Sequence, residues 1–426
     1  MAQYPEVLLR YRFGYHSLAI AVVAAALVGG SFSRSAAAVQ ATPEVADQPD
    51  SAQPAQLALP VTAPVAAAPR VDDQAVATVT FDPRVGLPQW LRAVKDLSLW
   101  SGGDSGASAT GSVPAYSSYV KPLGPFTDRR VEVYFPGDPD HPSTQGWIDT
   151  TAVEPSGVPP WIDPPASTDG LPAAPQRTGE APPPDTTAYH IAIIDDASGQ
   201  LIYGEQPSTE VPQASTTKIA TTIVALERTT DLSQRINVTV SASAMVARDG
   251  SSTMGIEPGR TVSLSTLLHG MMLPSGNDAA EQVAVSLGGT REQYVEWMNE
   301  EAAALGLKDT HFINPSGMDA AGHYSSAYDM AMLARYAMHN ATFRELAAAT
   351  TYSGDGFKMS NLNRLLGVYP GADGVKIGFT DAAQKTIVAS AVRDGHRVFV
   401  SLMRSEDLPG DCTALFNWVW DNFTWS

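Results

Sequence analysis

The sequence predicts an α/β (α+β) domain, a sheet with a helical subdomain beside it, preceded by a small all-β barrel. Three observations predict it. From Tyr189 onward, strand-like runs stand at both ends and helix-period runs fill the middle, so N- and C-terminal strands share one sheet. Between about Ala75 and Pro155, short alternating runs are split by Gly, Asp and Pro clusters. Two Pro/Ala-rich stretches, 39–74 and 156–188, lack periodicity and read as extended linkers. The expected organisation is a leader (1–38), a linker (39–74), a β domain (75–155), a second linker (156–188) and the large domain (189–426).

The leader carries Arg10 and Arg12, an apolar run from Leu18 to Val28, and Ala36-Ala37-Ala38. Basic flank, apolar core and small-residue site are the parts of a secretory signal. An uncleaved membrane anchor is the alternative, because the weakly apolar stretch 13–32 is just long enough to span a bilayer. Either way the protein is expected outside the cytoplasm, in the periplasm, wall or medium, with membrane attachment only through this segment.

In the β domain, Val76–Phe81, Leu97–Trp100, Val113–Val120, Arg130–Phe135 and Gly146–Val153 read as strands, with Trp100 and Trp147 in the core. The pieces LWSG (99–102), GSVPAYSSYVKPLG (111–124) and TQGWIDTTAVEP (144–155) resemble a bacterial SH3-like domain. The resemblance implies wall or peptide binding; a spacer packed on its neighbour is the alternative.

The large domain opens with a hairpin, His190–Asp195 and Gln200–Glu205, around the turn Asp196-Ala197-Ser198-Gly199. Helices are predicted over Thr216–Thr229, Leu264–Leu273, Asp278–Leu287, Arg291–Leu305, Ala327–Met338 and Thr342–Ala349. Gly374–Phe379, Thr386–Arg393 and Arg397–Arg404 read as strands, and a last helix starts near Asp411. Its aromatic residues Trp418, Trp420, Phe423 and Trp425 are expected to dock on the sheet.

Composition narrows the chemistry. With 44% hydrophobic residues the 426-residue chain can bury a real core, and a net charge of −18 argues against nucleic acid or an anionic membrane surface as partner. The single cysteine, Cys412, excludes an intrachain disulfide and a cysteine-based metal cluster. The eight histidines are scattered without metal-ligand spacing, and His269, His311 and His323 are expected to be structural. No metal and no cofactor are expected.

The stretch QASTTKIATTIVALE (213–227) is where reactivity is expected. Ser215 and Lys218 stand three apart at the start of an amphipathic helix, which brings hydroxyl and amine within reach. About one or two Ser-x-x-Lys matches arise by chance in a chain this long. The second, Ser118 to Lys121, falls on a predicted strand, where that spacing puts the pair on opposite faces.

Downstream follow Ser275-Gly276-Asn277 in a loop between helices and Lys376-Ile377-Gly378 entering a strand. With these motifs, and with LLHGMMLPSGNDAAEQVA, LGLKDTHFINPSGMD, GHYSSAYDMAMLARYAM and ADGVKIGFTDAAQKTIVAS in order, the segment from about Tyr189 to Trp425 resembles the low-molecular-weight penicillin-binding proteins. These are serine D-Ala-D-Ala carboxypeptidases of the peptidase S11 type, with a β-lactamase-like antiparallel sheet and helical subdomain. The resemblance implies Ser215 as nucleophile, Lys218 as general base, Ser275 as proton relay and Asn277 as a bridge between Lys218 and substrate. Lys376, Gly378, Phe379 (backbone N–H, oxyanion) and Thr380 would bind substrate. It implies peptidoglycan stem peptides as substrate and β-lactams as inhibitors.

Two positions depart from the family pattern. Ile377 replaces a hydroxyl residue that helps hold the substrate carboxylate, and Asp411 follows Gly410 where many relatives carry arginine. Arg364, Thr380 and Arg404 are the candidates to compensate. The competing readings are a non-catalytic or altered-specificity wall-binding homologue and a β-lactamase. The latter needs a deacylating base, and no such loop is found between Asn277 and Lys376.

Overall fold

A computed structural model describes residues 90–113, 119–127, 129–135, 144–156 and 174–425, all within one compact unit spanning 75–426. The expected leader, first linker and strand Val76–Phe81 lie outside the described residues.

The β domain forms strands β1 (Trp90–Ala93), β2 (Leu97–Trp100), β3 (Ala109–Val113), β4 (Tyr119–Phe126), β5 (Arg130–Phe135), β6 (Thr144–Asp149) and β7 (Val153–Ser156). They make one antiparallel sheet in the order β3-β2-β6-β5-β4-β1-β7. Alternation buries Leu97, Leu99, Val131, Val133, Phe135 and Ile148 in its core. The expected strand Val113–Val120 is not one element, since Val113 ends β3 and Val120 belongs to β4. Likewise Gly146–Val153 is divided by a 3-10 turn at Thr150–Ala152. Trp100 and Trp147, expected in the core, are half-buried cross-strand partners, and the Arg130 guanidinium lies 3.9 Å from the Trp100 ring centroid.

This sheet packs against the large domain through buried polar contacts. Trp90 Nε1 donates to the Ala304 carbonyl (3.0 Å), and Asn340 Nδ2 donates to Tyr134 OH (2.6 Å). Lys121 Nζ donates to Glu227 Oε2 (2.9 Å) and also meets Glu301; all three are under a tenth exposed. The lysine of the second Ser-x-x-Lys match is thus a buried tie between domains.

In the large domain, β8 (Gln176–Arg177) comes first, followed by the hairpin β9 (His190–Asp195) and β10 (Leu201–Glu205). A 3-10 turn over Ala214–Thr217 leads into α1 (Lys218–Arg228). Next come β11 (Arg235–Asn237), α2 (Ala242–Asp249), β12 (Thr261–Ser263), α3 (Leu264–Met272), α4 (Asn277–Gly288), α5 (Arg291–Ala304), α6 (Ala327–His339) and α7 (Ala341–Ala348). The chain closes with β13 (Thr351–Gly354), β14 (Phe357–Ser360), β15 (Ala372–Thr380), β16 (Gln384–Arg393), β17 (His396–Ser405), α8 (Leu408–Asn422) and β18 (Phe423–Thr424). The short α2 and the two small hairpins, β11–β12 and β13–β14, were not anticipated; three- and four-residue strands carry too little periodicity to read. Side-chain caps start the helices where Ser263, Thr290, Ser326 and Asn340 each accept a backbone N–H.

The central sheet runs β10-β9-β17-β16-β15, antiparallel throughout, with β15 as an edge. One face packs on α1, α3–α7 and their apolar side chains, the other on α8. Helix α1 is buried from Lys218 to Glu227, so it is the central helix and not the amphipathic one its spacing suggested. Its polar groups are satisfied internally: Thr221 Oγ1 donates to the Pro315 carbonyl (2.6 Å) and Thr222 Oγ1 to Lys218 O (2.7 Å).

The second linker was expected to reach 188, but its described part belongs to the large domain. β8 pairs with β18, Trp418 Nε1 donates to the Ala181 carbonyl (2.9 Å), and Thr187 Oγ1 donates to Asp411 Oδ2 (2.7 Å). Proline content set the expectation, and packing on α8 overrides it. The terminal aromatics dock as expected: Trp425 Nε1 donates to Asp195 Oδ1 (2.7 Å) and Trp418 is buried.

Candidate active site

The 3-10 turn before α1 decides how Ser215 and Lys218 meet. With three residues per turn, positions i and i+3 eclipse, so the Lys218 side chain lies directly over Ser215. Lys218 Nζ is 2.9 Å from Ser215 Oγ, 2.7 Å from Asn277 Oδ1 and 2.6 Å from the Ser316 carbonyl. The Asn277 amide oxygen and the Ser316 carbonyl only accept. A neutral amine has two N–H bonds and one lone pair, so donating to both acceptors leaves the lone pair facing the serine hydroxyl.

Electrostatics favour that neutral form. Burial drives the Lys218 pKa well below the ordinary lysine value, and the charge on Lys376 adds to the effect. Lys376 is itself buried, which lowers its pKa to about 7, and its Nζ donates to the Ile377 carbonyl (3.0 Å).

Asn277 is the first residue of α4, as the loop between α3 and α4 requires. Its Oδ1 takes Lys218, and its Nδ2 donates to Ser251 Oγ (3.2 Å), so one of the two amide hydrogens expected for substrate is held by the protein. Asp278, next in sequence, accepts the backbone N–H groups of Met254, Gly255 and Ile256 at 2.9–3.0 Å and anchors that loop to α4. Ser275 lies in the same cleft with a left-handed backbone (φ 62°), a conformation that side-chain-bearing residues rarely adopt. Ala214, just before Ser215, shares it (φ 50°).

The edge strand β15 forms the facing wall. A Cβ on Gly378 would stand 2.8 Å from Ser215 N and 2.6 Å from Thr386 Oγ1, so only glycine lets strand and turn approach this closely. Phe379 follows, 63% exposed, with its backbone on the strand edge beside the turn. The cleft holds about 640 Å³ and is lined by Ser215, Ser275 and Asn277 on one side and Ile377 to Thr380 on the other.

Sequence reasoning placed some groups wrongly. Thr380 Oγ1 donates its one hydrogen to Asp319 Oδ1 (2.7 Å), so it has none for a substrate carboxylate, which Asp319 would also repel. Arg364 is exposed in an adjoining cavity of about 340 Å³, and Arg404 lines neither space. Asp411 is buried and bound to Thr187 and Ser405, away from the cleft.

One contact to Lys218 was missed. Ser316 supplies the third contact to Lys218, on a loop folded around Asn314, whose Oδ1 accepts from the backbone N–H of Gly317 (2.7 Å) and Met318 (3.1 Å). His323, expected to be structural, braces the turn that carries Ser215: its Nδ1 accepts from Ile313 N (2.9 Å), and its Nε2 lies 3.0 Å from Thr217 Oγ1. Burial lowers its pKa to about 4, which keeps it neutral. Only the segment FINPSGMD hinted at this loop. Glu281 carries a pKa raised by burial, but it bonds Arg291 (3.0 Å) and lines a different cavity, so it is no base for the cleft.

Residues 176–406 match the family model described as Peptidase S11, D-alanyl-D-alanine carboxypeptidase. The chain is 36% identical over 255 residues to the D-alanyl-D-alanine carboxypeptidase DacB2 of Mycobacterium tuberculosis, covering 57% of this chain and 86% of that protein. It is similar to the solved structure of a D-alanyl-D-alanine carboxypeptidase from Mycobacterium tuberculosis H37Rv (33% identity, TM-score 0.53, 59% of this chain and 99% of that one). The Streptomyces K15 DD-transpeptidase is a further structural match (28% identity, TM-score 0.54, 57% and 100%).

Proposed function

The chain belongs to the D-alanyl-D-alanine carboxypeptidase family, and from that premise we propose that it trims peptidoglycan stem peptides through an acyl-enzyme on Ser215. The observation that carries the reading is the set of three contacts around Lys218 Nζ, which leaves a lone pair aimed at Ser215. Lys218 takes the hydroxyl proton as Oγ attacks the carbonyl of the penultimate D-alanine. The backbone N–H groups of Ser215 and Phe379 receive the oxyanion. Ser275 relays the proton to the leaving amine, terminal D-alanine departs, and water then releases the acyl group. The edge of β15 receives the extended peptide as an added strand. A β-lactam meets the same nucleophile and leaves a stable acyl-enzyme.

Peptidoglycan lies outside the cytoplasm, which fits the leader-like residues 1–38. Among the described residues no helix is long and apolar enough to cross a membrane. The β domain, read as SH3-like, serves as a wall-contacting module through the surfaces left free by its packing on the large domain.

The test is labelling of intact protein with fluorescent penicillin, together with D-alanine release from diacetyl-Lys-D-Ala-D-Ala. One adduct per wild-type chain, none on Ser215→Ala, and D-alanine release are expected. An adduct that survives Ser215→Ala would sink the reading. Fast steady-state nitrocefin turnover would point to a β-lactamase instead.

A further inference from the structure

The cleft is poor in the charge its substrate needs. A peptide ending in D-alanine presents a carboxylate one residue, roughly 3.5 Å, beyond the carbonyl that Ser215 attacks. The cleft is lined by three carboxylates, Asp249, Asp319 and Asp381. The two lysines of the motifs do not line it, since Lys218 and Lys376 are buried behind its wall. Ile377 has no hydroxyl, and Thr380 has spent its own on Asp319.

One cation lines the cleft among the described residues, and it belongs to none of the three motifs. The geometry points to Lys385 as the residue that holds the C-terminal carboxylate of the acyl donor, an assignment that rests on the carboxypeptidase reading above. Lys385 is the cross-strand partner of Phe379, the proposed oxyanion donor, so its side chain springs from beside that residue. It is exposed and stands where the cleft meets the adjoining cavity, lining both together with Ile377, Leu362 and Leu408. Its ammonium donates to the Glu406 carbonyl, in the loop just before α8, which steers the side chain toward the cavity mouth. An ammonium has three donors, so two remain for a carboxylate. Against three lining carboxylates, this is the position where an anionic chain end finds attraction.

The experiment compares two acyl donors with the same diacetyl-Lys-D-alanyl group: the D-alanyl peptide, whose leaving group carries a carboxylate, and a nitrophenyl ester, whose leaving group carries none. Ser215→Ala supplies the blank. For Lys385→Ala, kcat/KM on the peptide is expected to fall about ten- to hundredfold while the ester rate stays within twofold, and Lys385→Arg should recover most of the loss. An unchanged peptide rate overturns the assignment. So does an equal fall on both donors with Lys385→Arg no better than Lys385→Ala, since that marks a structural lesion. If the wild type hydrolyses neither donor and takes no penicillin, the carboxypeptidase reading itself fails, and the assignment with it.

Discussion

Gly378 and Ser215 touch backbone to backbone: the space where a side chain would begin on Gly378 lies 2.8 Å from the Ser215 amide nitrogen. Strand β15 and the turn that carries Ser215 are therefore set at a separation only glycine permits. Gly378→Ala must push β15 away from the turn or expel the Thr386 side chain, whose Oγ1 donates to the Gln213 carbonyl (3.0 Å). Overpacking of this kind costs about 1–3 kcal/mol. Penicillin acylation is expected to slow by at least about a hundredfold, because misplacement by roughly 1 Å has that effect on an aligned attack. Stopped-flow acylation beside a urea melt checks both.

The pH dependence follows from the buried lysine pair. In the proposed mechanism neutral Lys218 is the active form, so acylation is expected to fall as pH drops and Lys218 gains a proton. Its pKa is lowered first by burial and then by Lys376. Lys376→Met removes the second cause and leaves the first. The acid limb of the acylation profile should then move to higher pH, while the midpoint stays below that of an ordinary lysine. An unmoved or downward-shifted limb would contradict the like-charge coupling.

The tie between the domains is ionic and buried. Lys121→Ala leaves Glu227 and Glu301, each 2% exposed, without their cation. Breaking such a group by removing one partner costs about 3–5 kcal/mol. Adding Glu301→Gln to Lys121→Ala should recover part of that, because one stranded charge disappears. Because Glu227 sits on the helix that begins with Lys218, the acylation rate of the single variant should fall as well.

His323 contributes a pH-dependent part of stability. Its pKa is lowered from 6.5 to about 4, so the unfolded chain binds its proton first as pH falls. The stabilisation is complete above pH 6.5 and is lost as pH drops through about 4, an amount on the order of 3 kcal/mol. His323→Gln lacks this component. The stability gap between wild type and variant should therefore narrow from pH 7 to pH 4, measured by urea denaturation at each pH.

Ile377 lines the cleft and packs with the α8 side of the sheet. Ile377→Thr supplies a hydroxyl at the carboxylate end and gives up some apolar contact, about 1 kcal/mol. Peptide kcat/KM is expected to rise several-fold with a small drop in melting midpoint. No rise would place carboxylate recognition wholly elsewhere.

Much of this protein was legible in the chain, for definite reasons. Helices α3 to α7 and strands β15 to β17 are long enough for periodicity to reveal, and their predicted bounds lie within two residues of the observed ones. Three-residue spacing made Ser215/Lys218 one of two candidate pairs, and the later motifs in order, through the family resemblance, singled it out and brought in Asn277. Local pattern determines the helices and the reach of Lys218 to Ser215 because those contacts are local, whereas the Asn277 contact to Lys218 spans 59 residues of chain. Tertiary structure decided the rest. Burial at the start of an all-round buried helix lowers the Lys218 pKa well below the ordinary lysine value, which its apolar spacing did not reveal. Ser316 and His323 reach the site from a loop about 100 residues away in the chain. Thr380 is spent on Asp319, while Lys385 faces the cleft, because strand register and turn geometry choose which side chain meets which. Those choices depend on long-range pairing and on exclusion of water, and neither is written in any single stretch of residues.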